Sequence, residues 1–511
     1  MENSQALVAS LCVIALAFII SKIFSKKQPT RNLPPGPKPW PIIGNLNLLG
    51  SVPHESLHIL SQKYGGLIQL KFGNFPVVAV SSPKMAELVL KTHDDVFASR
   101  PATAAGKYLS YNYSDMTWSP YGSYWRLTRK ICNNEIFSAK KMESFDSVRV
   151  EETKMFLSRL HSVSRKPVMI KDHLSHYSLS CTSRIVMSSN KYFSSSDNSV
   201  FKLEELQNLL EESFLLHGAF NIGDWVPWLS RFDVQGYVKR MKALADKFGR
   251  FLEHVIDDHI ASRAAQKDFV PKDVTDVLLG LLEDPSTNVG VKLTKNSVKG
   301  MLEDLLTGGT DTSAALVEWA VHELVKNPYI INKAKEELNR VVGRNRWAED
   351  NDFPKLSYLE AIIAETLRLH PPGTILAPHY AMEDCNVAGY DVAKGTSVLV
   401  NIWSLGRDPN SWDEPEKFSP ERFEGKEIDI SGGNFALLPF GSGRRKCPGY
   451  KLGLKFTRSM LANLLHGFDW KLPDGMKPED VCLEEQYGLI VHPKVPLALI
   501  MEPTLPTHLY I

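Results

Sequence analysis

Phe440-Gly-Ser-Gly-Arg-Arg-Lys-Cys-Pro-Gly449 is the stretch of this 511-residue chain on which the reading of its fold turns. Its glycines permit unusual backbone angles and close approach to a ligand, and Pro448 removes a backbone donor beside the cysteine. Such a loop can aim one sulfur, that of Cys447, at a metal. A thiolate is a soft, strongly donating ligand, and Arg444, Arg445 and Lys446 favour it over the thiol. Other uses fit less well. A dinucleotide loop built on Gly441 and Gly443 needs a third glycine at position 446, where lysine stands. A zinc site lacks nearby Cys or His partners. A catalytic thiol shows no recognisable nucleophile signature, although a histidine brought close by folding keeps that use open.

Upstream, Gly308-Gly309-Thr310-Asp311-Thr312-Ser313 lies in the middle of a long segment with helical spacing. Adjacent glycines in a helix interior cost about 1 kcal/mol each relative to alanine. They point to a backbone kept open to something bulky, or to a simple break in which a hydroxyl bonds back to the helix. Glu365 and Arg368 stand three apart and share a helical face, though most such pairs are solvated and weak. Trp125 and Arg129, four apart, share another. They read either as a ligand-facing pair or as a core indole beside a surface arginine.

Spacing predicts a mainly α chain with small β-sheets. Helical periodicity dominates residues 84–370, with polar loops at 194–198 and 284–288. Thr294 caps an expected helix that Pro328 stops after Asn327; at 1.5 Å per residue it measures roughly 50 Å. Residues 68–80 read as a hairpin turning at Gly73-Asn74, residues 397–400 as a strand and 452–465 as a helix. With 43% hydrophobic residues and no boundary after residue 41, a single domain over 42–511 is expected. Residues 6–21 carry no charge and, with Lys22 snorkelling, approach the roughly 20 residues a bilayer needs. Residues 1–28 are therefore read as a transmembrane anchor, with a cleaved signal peptide as the alternative, because Ala15-Leu-Ala17 fits a cleavage pattern. Lys22, Lys26, Lys27 and Arg31 hold the C-terminal side in the cytosol, and the prolines of 29–41 make a stiff hinge. Fifty-nine basic against fifty-eight acidic residues leave a formal charge of +1, which gives no reason to expect a nucleic-acid partner. Six cysteines without a Cys-x-x-Cys pair read as reduced thiols.

Taken in order along the chain, these motifs resemble the cytochrome P450 superfamily. The loop matches Phe-x-x-Gly-x-Arg-x-Cys-x-Gly at Phe440, Gly443, Arg445, Cys447 and Gly449, and Gly308 to Ser313 match the central-helix motif. Phe97-Ala-Ser-Arg-Pro101, Tyr111-Asn-Tyr113 and Ser119-Pro-Tyr-Gly122 look like plant microsomal enzymes related to flavonoid hydroxylases, in a group that also oxidises terpenoids and other phenolics.

The resemblance implies the cytochrome P450 fold, a single domain behind an N-terminal transmembrane anchor. It implies haem b with Cys447 as axial thiolate, whose electron donation favours O–O cleavage. Asp311 and Thr312 inherit proton delivery. Trp125, Arg129, His379 and Arg445 inherit positions facing the haem propionates, and Phe440, Gly443 and Gly449 shape the haem loop. Glu365 and Arg368, completed by Arg422, inherit a structural network. The implied reaction inserts one atom of dioxygen into a small hydrophobic plant secondary metabolite, phenolic or terpenoid; an oxygen-independent haem-thiolate isomerase or dehydratase is the alternative. With no flavin or nicotinamide fingerprint in the chain, electrons are expected from NADPH through a separate flavoprotein, NADPH-cytochrome P450 reductase. Lys130, Arg444, Lys446 and Lys451 read as its docking face or as ordinary solvated charges. Family position puts residues 103–115, 302–310 and 372–377, with Leu489 and Ile490, near the substrate. The expected location is the endoplasmic reticulum membrane, in contact with lipid, single-pass, with the catalytic domain on the cytosolic face.

Overall fold

Four helices carry residues singled out above, α1 (Ser123–Ile131), α3 (Lys295–Lys326), α4 (Ser357–Leu369) and α5 (Tyr450–Gly467), and a further helix, α2 (Ile170–Met187), packs among them. They are described in a computed structural model that covers residues 31–188, 192, 202–284, 290–427 and 429–511. Helix α3 begins where Thr294 predicts it. The Ser297 amide donates to Thr294 Oγ1 (3.2 Å) while the Thr294 amide meets Ser297 Oγ (3.1 Å), a reciprocal cap. It ends at Asn327, before Pro328 opens the next helix. Side chains all round its middle, from Ser297 to Val325, are mostly buried, as expected of a helix that crosses a domain interior. Helices α2 and α5 pack against it.

The β-structure is small and peripheral. Strands β1 (Leu67–Phe72) and β2 (Phe75–Val80) form the expected hairpin, with Leu67 opposite Val80. Strands β3 (His379–Tyr380) and β4 (Ser397–Val400) complete a four-stranded sheet in the order β1-β2-β4-β3, in which β2 and β4 run parallel. Near the C-terminus, β5 (Glu485–Gln486) and β6 (His492–Pro493) pair antiparallel. The apolar run 6–21 and the predicted loop at 194–198 lie outside the described residues, as does most of the loop at 284–288. Among the described residues, no helix is long and apolar enough to cross a membrane. The five described cysteines, Cys132, Cys181, Cys385, Cys447 and Cys482, are free thiols.

Helix α4 anchors the irregular chain that leads to the cysteine loop. Glu365 and Arg368 are both 0% exposed. Arg368 Nε and Nη2 donate to the two Glu365 oxygens (2.7 and 2.9 Å). The remaining N–H groups reach the carbonyls of Gly406, Pro415 (2.7 Å) and Lys417 (3.1 Å). All five guanidinium donors are thereby satisfied. Glu365 Oε1 also accepts from the Ser419 amide (2.7 Å) and Arg422 Nε (2.9 Å). Removing one member of such a buried pair costs about 3–5 kcal/mol, because the other charge is left unmatched. Glu365→Ala is therefore expected to lower the thermal unfolding midpoint by several degrees. Glu414→Gln, which loses only an exposed pair with Lys417, is expected to leave it nearly unchanged.

Candidate active site

Helix α3, the Cys447 loop and the C-terminal segment enclose a cavity of about 390 Å³. Met301, Asp304, Leu305, Gly308 and Thr312 of α3 line it together with Cys447. Leu376, Leu489 and Ile490, all at positions expected near the substrate, close the same space. The stretch 103–115 does not contribute. Its place is taken by the next two residues, Met116 and Thr117, which the chain turns inward where Asp304 binds their amides (2.7 and 3.3 Å).

The loop around Cys447 owes its shape to glycines. Gly441 and Gly443 have φ of +67° and +66°, a region that favours glycine, and the Cys447 amide closes the loop onto the Phe440 carbonyl (2.9 Å). A Cβ on Gly443 would stand 2.3 Å from the Leu90 carbonyl, so this glycine packs away from the cavity that Phe440, Cys447 and Gly449 line. Burial pushes the Cys447 thiol up; the amides of Gly449 and Tyr450, with Arg129 and Lys446, act in the opposite direction. The basic neighbours thus differ from the expectation. Arg444 turns to Asp94 (2.7 Å), and Arg445 spends its donors on the carbonyls of Ala98 (2.7 Å), Met116 (3.0 Å) and Ser119 (2.6 Å).

One end of the cavity is rich in cations. Arg129 and Arg445 line it, and so does Arg100, whose sequence context carried no such signal; the His379 ring stands beside them. Burial and then Arg100 pull the Arg445 guanidinium well below its ordinary value, and burial lowers Arg100 and Arg129 as well. The Arg129 guanidinium has no hydrogen-bond partner among the described residues. His379 donates from Nδ1 to the Phe97 carbonyl (2.9 Å), and burial holds the ring neutral, down to about 3. Trp125 donates its indole N–H to the Met116 carbonyl (3.1 Å) and lies 4.5 Å beneath the Arg445 guanidinium. Asp115 and Asp304, themselves raised by burial, compensate only in part. A flat metal complex bearing two carboxylates fits this donor set: a sulfur on the cavity wall and unmatched cations at one end.

The paired glycines of α3 do different work. Nothing lies within 4 Å of a Cβ built on Gly308, which faces the cavity, and Thr312 Oγ1 donates to its carbonyl (2.9 Å). A Cβ on Gly309 would stand 2.8 Å from Thr182 Cγ2 of α2, whose hydroxyl donates to the Gly309 carbonyl (2.9 Å). Asp311 is not part of the cavity lining. Its carboxylate turns to His492 of β6, 2.8 Å away.

A family model described as Cytochrome P450 matches residues 34–500. Trimethyltridecatetraene synthase of Zea mays is 42% identical over 100% of this chain and 95% of its own length. Flavonoid 3'-monooxygenase of Petunia hybrida is 40% identical over 97% of each. A solved structure of a zebra fish cytochrome P450 with progesterone superposes with a TM-score of 0.75 over 88% of this chain and 99% of that one. At 24% identity it bears on the fold alone.

The two glycines give a paired test. Gly309→Ala overpacks the α2–α3 crossing at a cost of about 1–3 kcal/mol, and Thr182→Ala in the same chain recovers part of it. Gly308→Ala is expected to fold with an unchanged or raised midpoint. Equal losses from Gly308→Ala and Gly309→Ala in thermal unfolding would remove this account of the crossing.

Proposed function

This chain belongs to the cytochrome P450 family of haem-thiolate monooxygenases, and from that premise we propose that Cys447 holds its haem and that its substrate is a hydrophobic terpenoid or phenolic of plant secondary metabolism. The observation that carries the reading is a single cavity lined at once by the Cys447 loop, by Thr312 of the opened helix and by the cationic end. When bound, haem supplies the redox-active iron at which dioxygen is reduced and split. Cys447 would hold its iron through sulfur. Arg129, Arg100 and Arg445 meet the propionates, with His379 and Trp125 beside them. Phe440 and Gly449 bound the haem loop, and Gly443 fixes its turn. Gly308 leaves room beside the reacting oxygen, where Thr312 holds a proton that Asp311 supplies. An oxygen-independent isomerase or dehydratase would have no use for these two side chains.

The substrate side is mostly apolar, and its carboxylate is already engaged. Asp304 serves the Met116 and Thr117 amides and the Thr117 hydroxyl. Orientation then rests on shape rather than on hydrogen bonds to substrate hydroxyls. That favours a flexible terpenoid over a polyhydroxylated flavonoid, in line with the relative named for a branched tetraene.

Residues 1–28 act as an endoplasmic reticulum anchor and 29–41 as the hinge, leaving 42–511 as the haem domain on the cytosolic face. Leu33, Trp40 and Ile42, 50%, 65% and 64% exposed, offer lipid an apolar surface beside that hinge. Electrons come from NADPH through cytochrome P450 reductase, docking on Lys130, Lys446 and Lys451. Arg444 adds less, since Asp94 pairs with it.

A reduced carbon monoxide difference spectrum of the wild type is expected to show the thiolate-ligated haem, and Cys447→Ala to lose it. Bound haem with an unchanged spectrum in that variant would overturn the ligand assignment. Thr312→Ala is expected to keep haem and consume NADPH, but to release peroxide in place of product; full coupling would remove its proton role. For the substrate class, farnesol and naringenin are compared with a matched reductase. Turnover of farnesol is expected, and turnover of naringenin alone would reverse the preference.

A further inference from the structure

His492 stands between two carboxylates. Its Nε2 lies 2.8 Å from Asp311 Oδ2 and its Nδ1 3.0 Å from Glu318 Oε2. A neutral imidazole has one N–H and one lone pair. One of these contacts would then set a lone pair against a carboxylate oxygen. The arrangement therefore demands a further proton, most simply on the ring. Glu318 sharpens the demand, because it is 1% exposed and its Oε1 has no hydrogen-bond partner among the described residues. A carboxylate so placed is costly unless a cation adjoins it. Burial works against charging the ring, but Asp311 and Glu318 outweigh it and Lys171 opposes them, leaving the ring raised to about 9.

The ring is held there by backbone stitching. Trp319 Nε1 of α3 donates to the Val491 carbonyl (2.9 Å), and the Val491 amide donates to Pro372 (2.8 Å). His322, one turn on from Glu318, reaches the Val495 carbonyl (3.3 Å). The segment carrying His492 is thus fixed on both sides against the helix that carries Asp311. Both side chains keep access to water, 14% for His492 and 15% for Asp311.

We propose that His492 supplies the proton that Asp311 passes on. At rest the shared proton sits on the His492 ring and Asp311 is a carboxylate; when Thr312 draws a proton, the Nε2 proton of the imidazolium passes to Asp311 Oδ2 and on towards Thr312, and the neutral ring regains a proton at Nε2 from water. The proton on Nδ1 stays there throughout, donated in a hydrogen bond to Glu318 Oε2, and keeps the ring aligned. His492 is a positioning and proton-supplying residue rather than one that touches substrate or haem. This rests on the reading of Asp311 as the proton source for Thr312.

The test uses the full-length holoenzyme, labelled with 13C at histidine Cε1 and held as its ferrous carbon monoxide adduct. One ring resonance, identified by its loss in His492→Gln, is expected to remain imidazolium from about pH 6 to about pH 8 and to titrate near 9. In Asp311→Asn it is expected to titrate lower. A ring already neutral at pH 7 overturns the proposal. Coupling, as hydroxylated farnesol (or naringenin, if the screen selects it) per NADPH consumed, is the second readout. In the wild type it is expected to hold below about pH 9 and fall above, as the ring loses its proton. His492→Gln, with normal haem content and carbon monoxide spectrum, is expected to be about tenfold less coupled and flat with pH. Coupling equal to the wild type at every pH overturns the role of His492 alone. Full coupling in Asp311→Asn instead overturns the underlying reading of Asp311.

Discussion

A guanidinium removed entirely from water must have each of its five N–H groups met, and the haem-side half of this protein is arranged around that demand at Arg368. Its partners after Glu365 are three carbonyls between Gly406 and Lys417, and Glu365 in turn captures the Ser419 amide and Arg422. These residues belong to a largely irregular connection that no ladder of backbone hydrogen bonds could hold. A buried ion pair is weak evidence of net stability, but it is strong in geometry, since few arrangements of the surrounding chain satisfy both charges. The approach to the Cys447 loop is fixed in this way, so the place of the sulfur follows from a pair of charges that never meet a ligand.

Helix α3 shows the same division between holding and acting. One glycine lets it approach α2 closely, and its neighbour leaves the backbone bare on the cavity side. Residues a single position apart point about 100° apart on a helix. Two demands of opposite kind can therefore stand side by side in the sequence.

What could be read from the sequence was local. The Thr294 cap, the Pro328 stop, the hairpin at Gly73-Asn74 and the Cys447 loop each depend on residues within a few positions of one another. What escaped depended on partners far along the chain. Arg444 counts as a basic neighbour of Cys447 until Asp94, 350 positions away, claims it. Arg100 and Asp304 carry no periodic or spacing signal, and only the folded cavity shows that they share a wall with Arg445. The glycine pair was legible as unusual but not as divided, because the opposing Thr182 lies on another helix. Met116 and Thr117 replaced the expected 103–115 lining for a similar reason, the amide contacts that Asp304 makes across 187 and 188 positions.

The C-terminal segment puts two adjustable properties on one short peptide. Leu489 and Ile490 face the cavity, while His492, two residues further on, faces Asp311. Exchanging this segment for one that lines the cavity differently also exchanges the group opposite Asp311, so such an exchange cannot vary the two independently.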